Sequence, residues 1–493
     1  MRTFRPLLLL IALALLGTAC SSKESASNPL ERSDEGGGWV ARSIEDLDEG
    51  LEIDEPIQPG TGLGDDSTGG DPGPDDTVRA ALSDVESFWA RTYEDVYGEE
   101  WEPISGGYWA YGPDTEIPEC GAPLTYEEVA QNAFYCPIDD LVAWDAYGLV
   151  PDLYDEFGGF TLGIVFAHEF GHAVQARAGV LNAGYPTIVT EMQADCFAGA
   201  WTADVEAGNA KHFELTLADL DRTMGGFLTL RDTVGTSADD PSAHGTGFDR
   251  IGSFIEGYEL GPEYCAEYVD RFEDDELVIV QVPFTDPEDF ERGGNLPLTD
   301  LLPLLVEDLE SFWANEMAAV GFEWTPVADI VLLDPDVDEA TCGEQSFEGD
   351  ILVGAAFFCV PSDTIFVDAV YLLPQMSDEI GDFAAAVEII RQYAYAAQVR
   401  MGNMDTDTAA DLQADCYTGA YALSAFVNDR VDQSLILSPG DLDEAVIAFL
   451  QRSGATDREE PTGDVEADLA TAFARFQAFR SGFLYGMPEC GIG

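Results

Sequence analysis

The chain has 493 residues, 95 of them acidic and 21 basic, for a formal net charge of −74 at neutral pH. Such a surface repels nucleic acid and anionic headgroups, which excludes both as partners. A hydrophobic content of 46% excludes a wholly disordered chain, and the length allows two or three domains with their own cores.

The N-terminus reads as an export signal over residues 1–20. Arg2 and Arg5 precede an unbroken apolar run from Leu7 to Leu16, too short to span a bilayer. Gly17, Thr18 and Ala19 before Cys20 look like a lipobox, which makes Cys20 the expected lipidation site and the protein a cell-surface lipoprotein. Plain secretion after cleavage near Ala19 is the alternative. Residues 21–78 are acidic and rich in Gly, Ser and Pro, the composition of an extended tether. No later stretch is long and apolar enough to cross a membrane.

From residue 79 the pattern becomes globular. Helical spacing covers Thr77 to Tyr97, short strands and loops are expected from Trp101 to Cys136, and a strand from Cys136 to Trp144. An apolar helix from Phe160 to Ala178 follows, stopped by Gly179. It carries His168, Glu169 and His172. The two histidines, four apart, share a helix face with Cβ atoms about 5–6 Å apart. That spacing suits two imidazole ligands on a tetrahedral zinc, with the intervening Glu169 free to act as a base. Placing two of only four histidines in this way is not a chance pattern. A second helix, Thr190 to Gly208, offers Glu191 as the third ligand and Asp195 one turn later. Helices are also expected over Ala210 to Gly235 and Gly247 to Tyr258. His244, in the Gly-rich AHGTG loop, is the candidate donor to an oxyanion, and His212 reads as a surface residue.

The chain then repeats itself at an offset of 220–225 residues. DVESFWA (84–90) returns as DLESFWA (308–314), AFYCP (133–137) as AFFCV (356–360), AVQARAG (173–179) as AAQVRMG (396–402), and QADCFAGA (193–200) as QADCYTGA (413–420). Arg250, Phe254 and Gly257 return as Arg475, Phe479 and Gly482. A whole-domain duplication is expected, with domains at 79–275 and 301–493 and a linker at 276–300. The second copy replaces His168 by Arg391, Glu169 by Gln392, His172 by Tyr395, Glu191 by Asp411 and His244 by Leu469. A cation and a phenol cannot stand in for two neutral nitrogen ligands, so one zinc per chain is expected, in the first domain, and the second domain is expected to be catalytically dead. The fold class is α+β: two tandem homologous domains, mostly helical with a small sheet.

Nine cysteines fit this plan. Setting Cys20 aside leaves Cys120, Cys136, Cys196 and Cys265 in one copy and Cys342, Cys359, Cys416 and Cys490 in the other. An even, repeated set in an exported protein reads as disulfides. Each set allows three pairings, of which we favour Cys120–Cys136, Cys196–Cys265, Cys342–Cys359 and Cys416–Cys490.

HEFGHAVQ (168–175), EMQADCFAGAW (191–201) and AHGTGFDRIGSFIEGY (243–258) together resemble the bacterial putative neutral zinc metallopeptidases, over about Asp84 to Cys265. The resemblance implies a thermolysin-like (gluzincin) site. In it His168, His172 and Glu191 are zinc ligands, Glu169 is the general base, and Asp195 is the carboxylate orienting a ligand histidine. The substrate implied is a peptide or protein. A zinc-stabilised, non-catalytic binding or assembly lipoprotein is the competing reading, and a zinc hydrolase acting on a non-peptide amide is a third.

Overall fold

The structure is a computed structural model and describes residues 40–41, 73–404, 407–428, 430–453 and 471–491. The expected signal segment, the lipidation site Cys20 and most of the tether lie outside these residues. The described chain is mostly helical with small sheets, an α+β architecture, and none of its helices is long and apolar enough to cross a membrane. It divides into two compact units. Among the described residues the first comprises 40–41, 73–232 and 236–280, and the second 233–235 and the described residues from 281 onward.

The first unit is built around two helices that are buried on almost every side. The histidine helix, Gly159–Arg177, and the glutamate helix, Thr187–Glu206, expose few residues, consistent with sequences apolar all round rather than along one stripe. Pro74–Tyr97 packs on the histidine helix, and Gly247–Leu260 packs on the glutamate helix. Glycine sets the spacing. A Cβ on Gly171 would lie 2.8 Å from Ala194 Cα, and one on Gly257 only 1.7 Å from the Cys196 carbonyl oxygen. Gly171, between Glu169 and His172, therefore lets the two ligand-bearing helices touch.

Against the histidine helix lies a small sheet in the order 40–41, 107–111, 141–145, 133–136. Gly107–Tyr111 runs parallel to Leu141–Asp145, which pairs antiparallel with the edge strand Ala133–Cys136. The single strand expected over 136–144 is thus two strands joined by a turn, with Asp140 at φ 50°. Val40–Ala41, expected within a free tether, pairs with Trp109 and Tyr108 at the opposite edge. Of the expected helix over 210–235, Leu217–Thr229 is helical, started by a capping box between Thr216 and Asp219.

The second unit begins earlier than expected. Residues 281–300, read as part of a linker, belong to it: Leu296 N–H donates to Asp382 Oδ2 (2.8 Å), and Asp382 N–H to Asn295 Oδ1 (2.6 Å). Its central helices are Asp382–Arg400 and Thr408–Val427, the latter against Ala472–Tyr485. In its three-stranded sheet Asp329–Leu333 runs parallel to Thr364–Asp368, which is antiparallel to Ala356–Cys359. The cysteines pair as Cys120–Cys136, Cys196–Cys265, Cys342–Cys359 and Cys416–Cys490, all at Cα separations of 5.5–5.7 Å. The two longer links each tie a buried central helix to the C-terminal end of its unit.

Candidate metal centre

The histidine and glutamate helices cross so that His168, His172 and Glu191 converge. Their ligand atoms lie within 4.8 Å of one another. His168 Nε2 is 3.2 Å from His172 Nε2 and 3.2 Å from Glu191 Oε2, and His172 Nε2 is 3.4 Å from Glu191 Oε1. All three residues are largely buried.

The tautomers follow from the outer partners. His168 Nδ1 is 2.6 Å from Asp195 Oδ1, a carboxylate that accepts, so Nδ1 carries the proton. His172 Nδ1 is 2.9 Å from Gln175 Oε1, and Gln175 is turned that way because its Nε2 donates to the Thr190 carbonyl (2.6 Å). In the neutral imidazoles this leaves both Nε2 lone pairs facing the same space, 3.2 Å apart, where a cation can accept them. Glu191 Oε2 is buried and takes part in no hydrogen bond. Atoms about 2.0–2.1 Å from one tetrahedral ion lie about 3.3 Å apart, which is the spacing found here. Two imidazole nitrogens and a carboxylate in this geometry fit zinc, and a set of three leaves a fourth position open.

Asp195 is held in turn by Arg250, whose Nε donates to Oδ2 (2.8 Å) and Nη2 to Oδ1 (2.9 Å), while Nη1 donates to the Leu230 carbonyl (2.9 Å). Burial opposes protonation of His168, but the Asp195 and Glu191 carboxylates outweigh it and hold the metal-free imidazole up to about 10. Burial raises Glu191 too, and the facing histidines outweigh it, keeping the carboxylate well below its ordinary range.

Glu169 is buried beside this cluster. Its Oε2 accepts the Tyr135 backbone N–H (2.8 Å), on the unpaired side of the edge strand 133–136. Burial is the largest influence on it and raises its proton affinity, against the pull of the two histidines. His244 stands apart from the three ligands. Asp232 accepts its backbone N–H (2.8 Å) and lies 3.4 Å from its Nδ1. His212 corrects the surface reading: it is 6% exposed. Buried Asp84 accepts its backbone N–H (2.8 Å) and that of Lys211 (3.2 Å), drawing the turn inward.

Gln175, Arg250 and the Tyr135 amide are site residues that the sequence reading did not assign. The first two had a signal, since Gln398 and Arg475 recur at the offset of the sequence repeat while the histidines do not. The Tyr135 amide had none, because a backbone donor carries no residue identity.

The residues of the second unit that fall at the offset of the sequence repeat hold different chemistry. Arg391, buried, donates to Asp415, and Arg475 Nη1 donates to the same carboxylate (2.9 Å). Tyr395 donates to Asp411 (2.6 Å) and accepts from Arg391 Nη2 (3.2 Å). The second unit contains no histidine.

Two histidines and a glutamate on crossing helices, with a further glutamate beside the first histidine, match the residue pattern by which zinc hydrolases hold their metal. Residues 67–268 match the family described as putative neutral zinc metallopeptidase. The chain is 28% identical over 201 residues to the uncharacterized protein YpfJ of Escherichia coli (strain K12), covering 35% of this chain and 67% of that protein. It is 28% identical over 189 residues to the uncharacterized protein Rv2575 of Mycobacterium tuberculosis (strain H37Rv), covering 34% and 64%. The uncharacterized protein Mb2605 of Mycobacterium bovis matches with the same figures. The chain thus spans about two thirds of the length of these relatives. No solved structure matches it.

Proposed function

We propose that the chain is an exported, lipid-anchored zinc peptidase whose chemistry resides in the first unit. The convergence of His168, His172 and Glu191, with Glu169 beside them, carries this reading. A zinc ion held by these three residues would supply Lewis acidity, polarising a carbonyl and lowering the pKa of water towards about 7. Asp195 and Gln175 keep the two imidazoles in the tautomer and orientation that ligation needs. Glu169 takes a proton from the attacking water and returns it to the leaving amine, and burial suits it to hold that proton between the two steps. The Tyr135 amide steadies its carboxylate. His244, tied to Asp232, is the proposed donor to the oxyanion.

The second unit is proposed to be a duplicated, catalytically dead copy that serves as a structural or substrate-holding domain. Equivalent side-chain bonds support this. Trp101 Nε1 donates to Glu86 (2.9 Å) and Trp324 Nε1 to Glu310 (2.6 Å), and Arg177 and Arg400 stack 4.4 Å above Trp101 and Trp324. Arg391 puts a fixed positive charge beside Asp415, the counterpart of Asp195.

The test is Glu169→Gln on the full chain. It should keep one zinc per chain and lose hydrolysis of a quenched peptide library by at least about 100-fold, as removal of a general base does. Turnover at the wild-type rate would remove the mechanism. Zinc-loaded wild type that cleaves nothing would favour a zinc-stabilised binding lipoprotein.

A further inference from the structure

A second cluster of ligand-type side chains lies in the second unit, away from any counterpart of the zinc site. Asp382, at the start of the Asp382–Arg400 helix, meets Asp441 and Glu444 from the first turn of Asp441–Ser453. Each brings a carboxylate oxygen within 4.8 Å of the others, and all three are buried, at 4%, 5% and 8% exposure. Among the described residues no lysine or arginine pairs with any of them.

Backbone amides hold the three in place. Asp382 Oδ2 accepts from Leu296 N–H (2.8 Å), Asp441 Oδ2 from Ser438 N–H (2.8 Å), and Glu444 Oε2 from Phe383 N–H (2.8 Å). These bonds account for one oxygen of each group. The remaining oxygens of the two aspartates, Asp382 Oδ1 and Asp441 Oδ1, are buried and accept no hydrogen bond. Gly381 makes room for the third group, since a Cβ there would lie 1.9 Å from Glu444 Oε1.

The first unit shows what this helix start looks like with its charge balanced. Asp219 caps the Leu217–Thr229 helix through Thr216 N–H (2.9 Å), as Asp441 caps its own helix through Ser438. Three residues on, Arg222 places Nη1 3.6 Å from Asp219 Oδ1. In the second unit the residue three beyond Asp441 is Glu444. By the offset of the repeat, Asp382 stands where the first unit has Gly159. One acid with its guanidinium has become three acids.

We propose that Asp382, Asp441 and Glu444 bind a hard divalent cation, of which calcium is the best match, and that the ion replaces the charge that Arg222 supplies in the first unit. All-oxygen ligands select hard cations. Calcium tolerates the irregular, partly backbone-tethered arrangement that magnesium, with its strict octahedral demand, does not. The role is structural: the ion joins the starts of two core helices.

The test is equilibrium dialysis of the zinc-saturated full chain against calcium in saline, which screens diffuse binding to the acidic surface. The probe is the calcium ion alone, with magnesium as a second arm. Wild type should hold one calcium per chain and melt higher in calcium chloride than in sodium chloride of equal ionic strength. Glu444→Gln should weaken binding at least about tenfold, because affinity follows the ligand charge count. Glu444→Arg should abolish it while melting in calcium-free buffer at or above wild type, and it covers the case in which the first variant retains a weak site. Loss of stoichiometric calcium or magnesium in these variants supports the site. Wild type that takes up no more of either ion than the variants, or variants that keep wild-type binding, would overturn it and leave three carboxyl groups sharing protons.

Discussion

At the scale of single residues, the candidate metal centre depends on groups that lie outside the three proposed ligands. Asp195 accepts a hydrogen bond from His168 Nδ1–H and is itself clamped by the Nε–Nη2 edge of the Arg250 guanidinium. Asp195→Asn removes the charge that makes His168 a strong ligand and leaves Arg250 buried without its counter-ion. Zinc affinity should fall about 10–100-fold, measured by competition with a chelator, with the fold retained by circular dichroism. Gln175 orients the other imidazole by neutral hydrogen bonds alone, so Gln175→Leu should cost less affinity than the aspartate change.

At the scale of elements, helix starts and crossings decide where charge is tolerated. The junction of Asp382–Arg400 with Asp441–Ser453 gathers Asp289, Asp382, Asp441, Asp443 and Glu444. Burial, then the neighbouring acids, pushes Glu444 up to about 8. Burial pushes Asp382 up to about 6, against the backbone bonds it accepts. An acid whose folded pKa is raised stabilises the fold in its protonated form. That stability is full below the unfolded value of about 4 and is lost as pH rises through the folded value. In buffer free of divalent ions the thermal midpoint should therefore drop between about pH 5 and 8. Glu444→Gln should flatten this slope; a slope equal to that of wild type would mean that Glu444 is ionised throughout. The crossing of the histidine and glutamate helices works differently. There Gly171 admits close backbone approach, and the charge is carried by groups that converge on the candidate metal position.

For the molecule as a whole, disulfides hold each unit at two places, one in the sheet region and one between a central helix and the C-terminal end. Cys196–Cys265 closes 69 residues and Cys120–Cys136 closes 16. On the loop-entropy model each stabilises by about 2–4 kcal/mol, the longer link by about 1 kcal/mol more. Paired alanine variants, compared by urea unfolding of the zinc-loaded protein, should show that order. Equal losses would mean that native packing, rather than loop closure, sets their contribution. The charge of −74 acts on the same scale, favouring solubility and repelling acidic partners without selecting a fold.

Much of the site was legible in the linear chain because its information is local. Two histidines four apart share a helix face by geometry, Glu169 sits between them, and Glu191 and Asp195 share a face of the next helix for the same reason. The repeat within the chain marked Arg250 and Gln175 as recurring, but not what they hold, since a bond across 55 residues has no local signature. His212 was misread because its polar neighbours suggested a surface turn, while the acid that buries it sits 128 residues earlier. Asp382 and Glu444 were invisible among 95 acids, each ordinary in its own helix and unusual only where two helix starts meet. Periodicity, spacing and cysteine parity thus determine the helices, the metal-binding face and the disulfide set. Which distant partner fixes a tautomer, buries a histidine or crowds three carboxylates depends on long-range packing, which brings together groups that the sequence keeps apart.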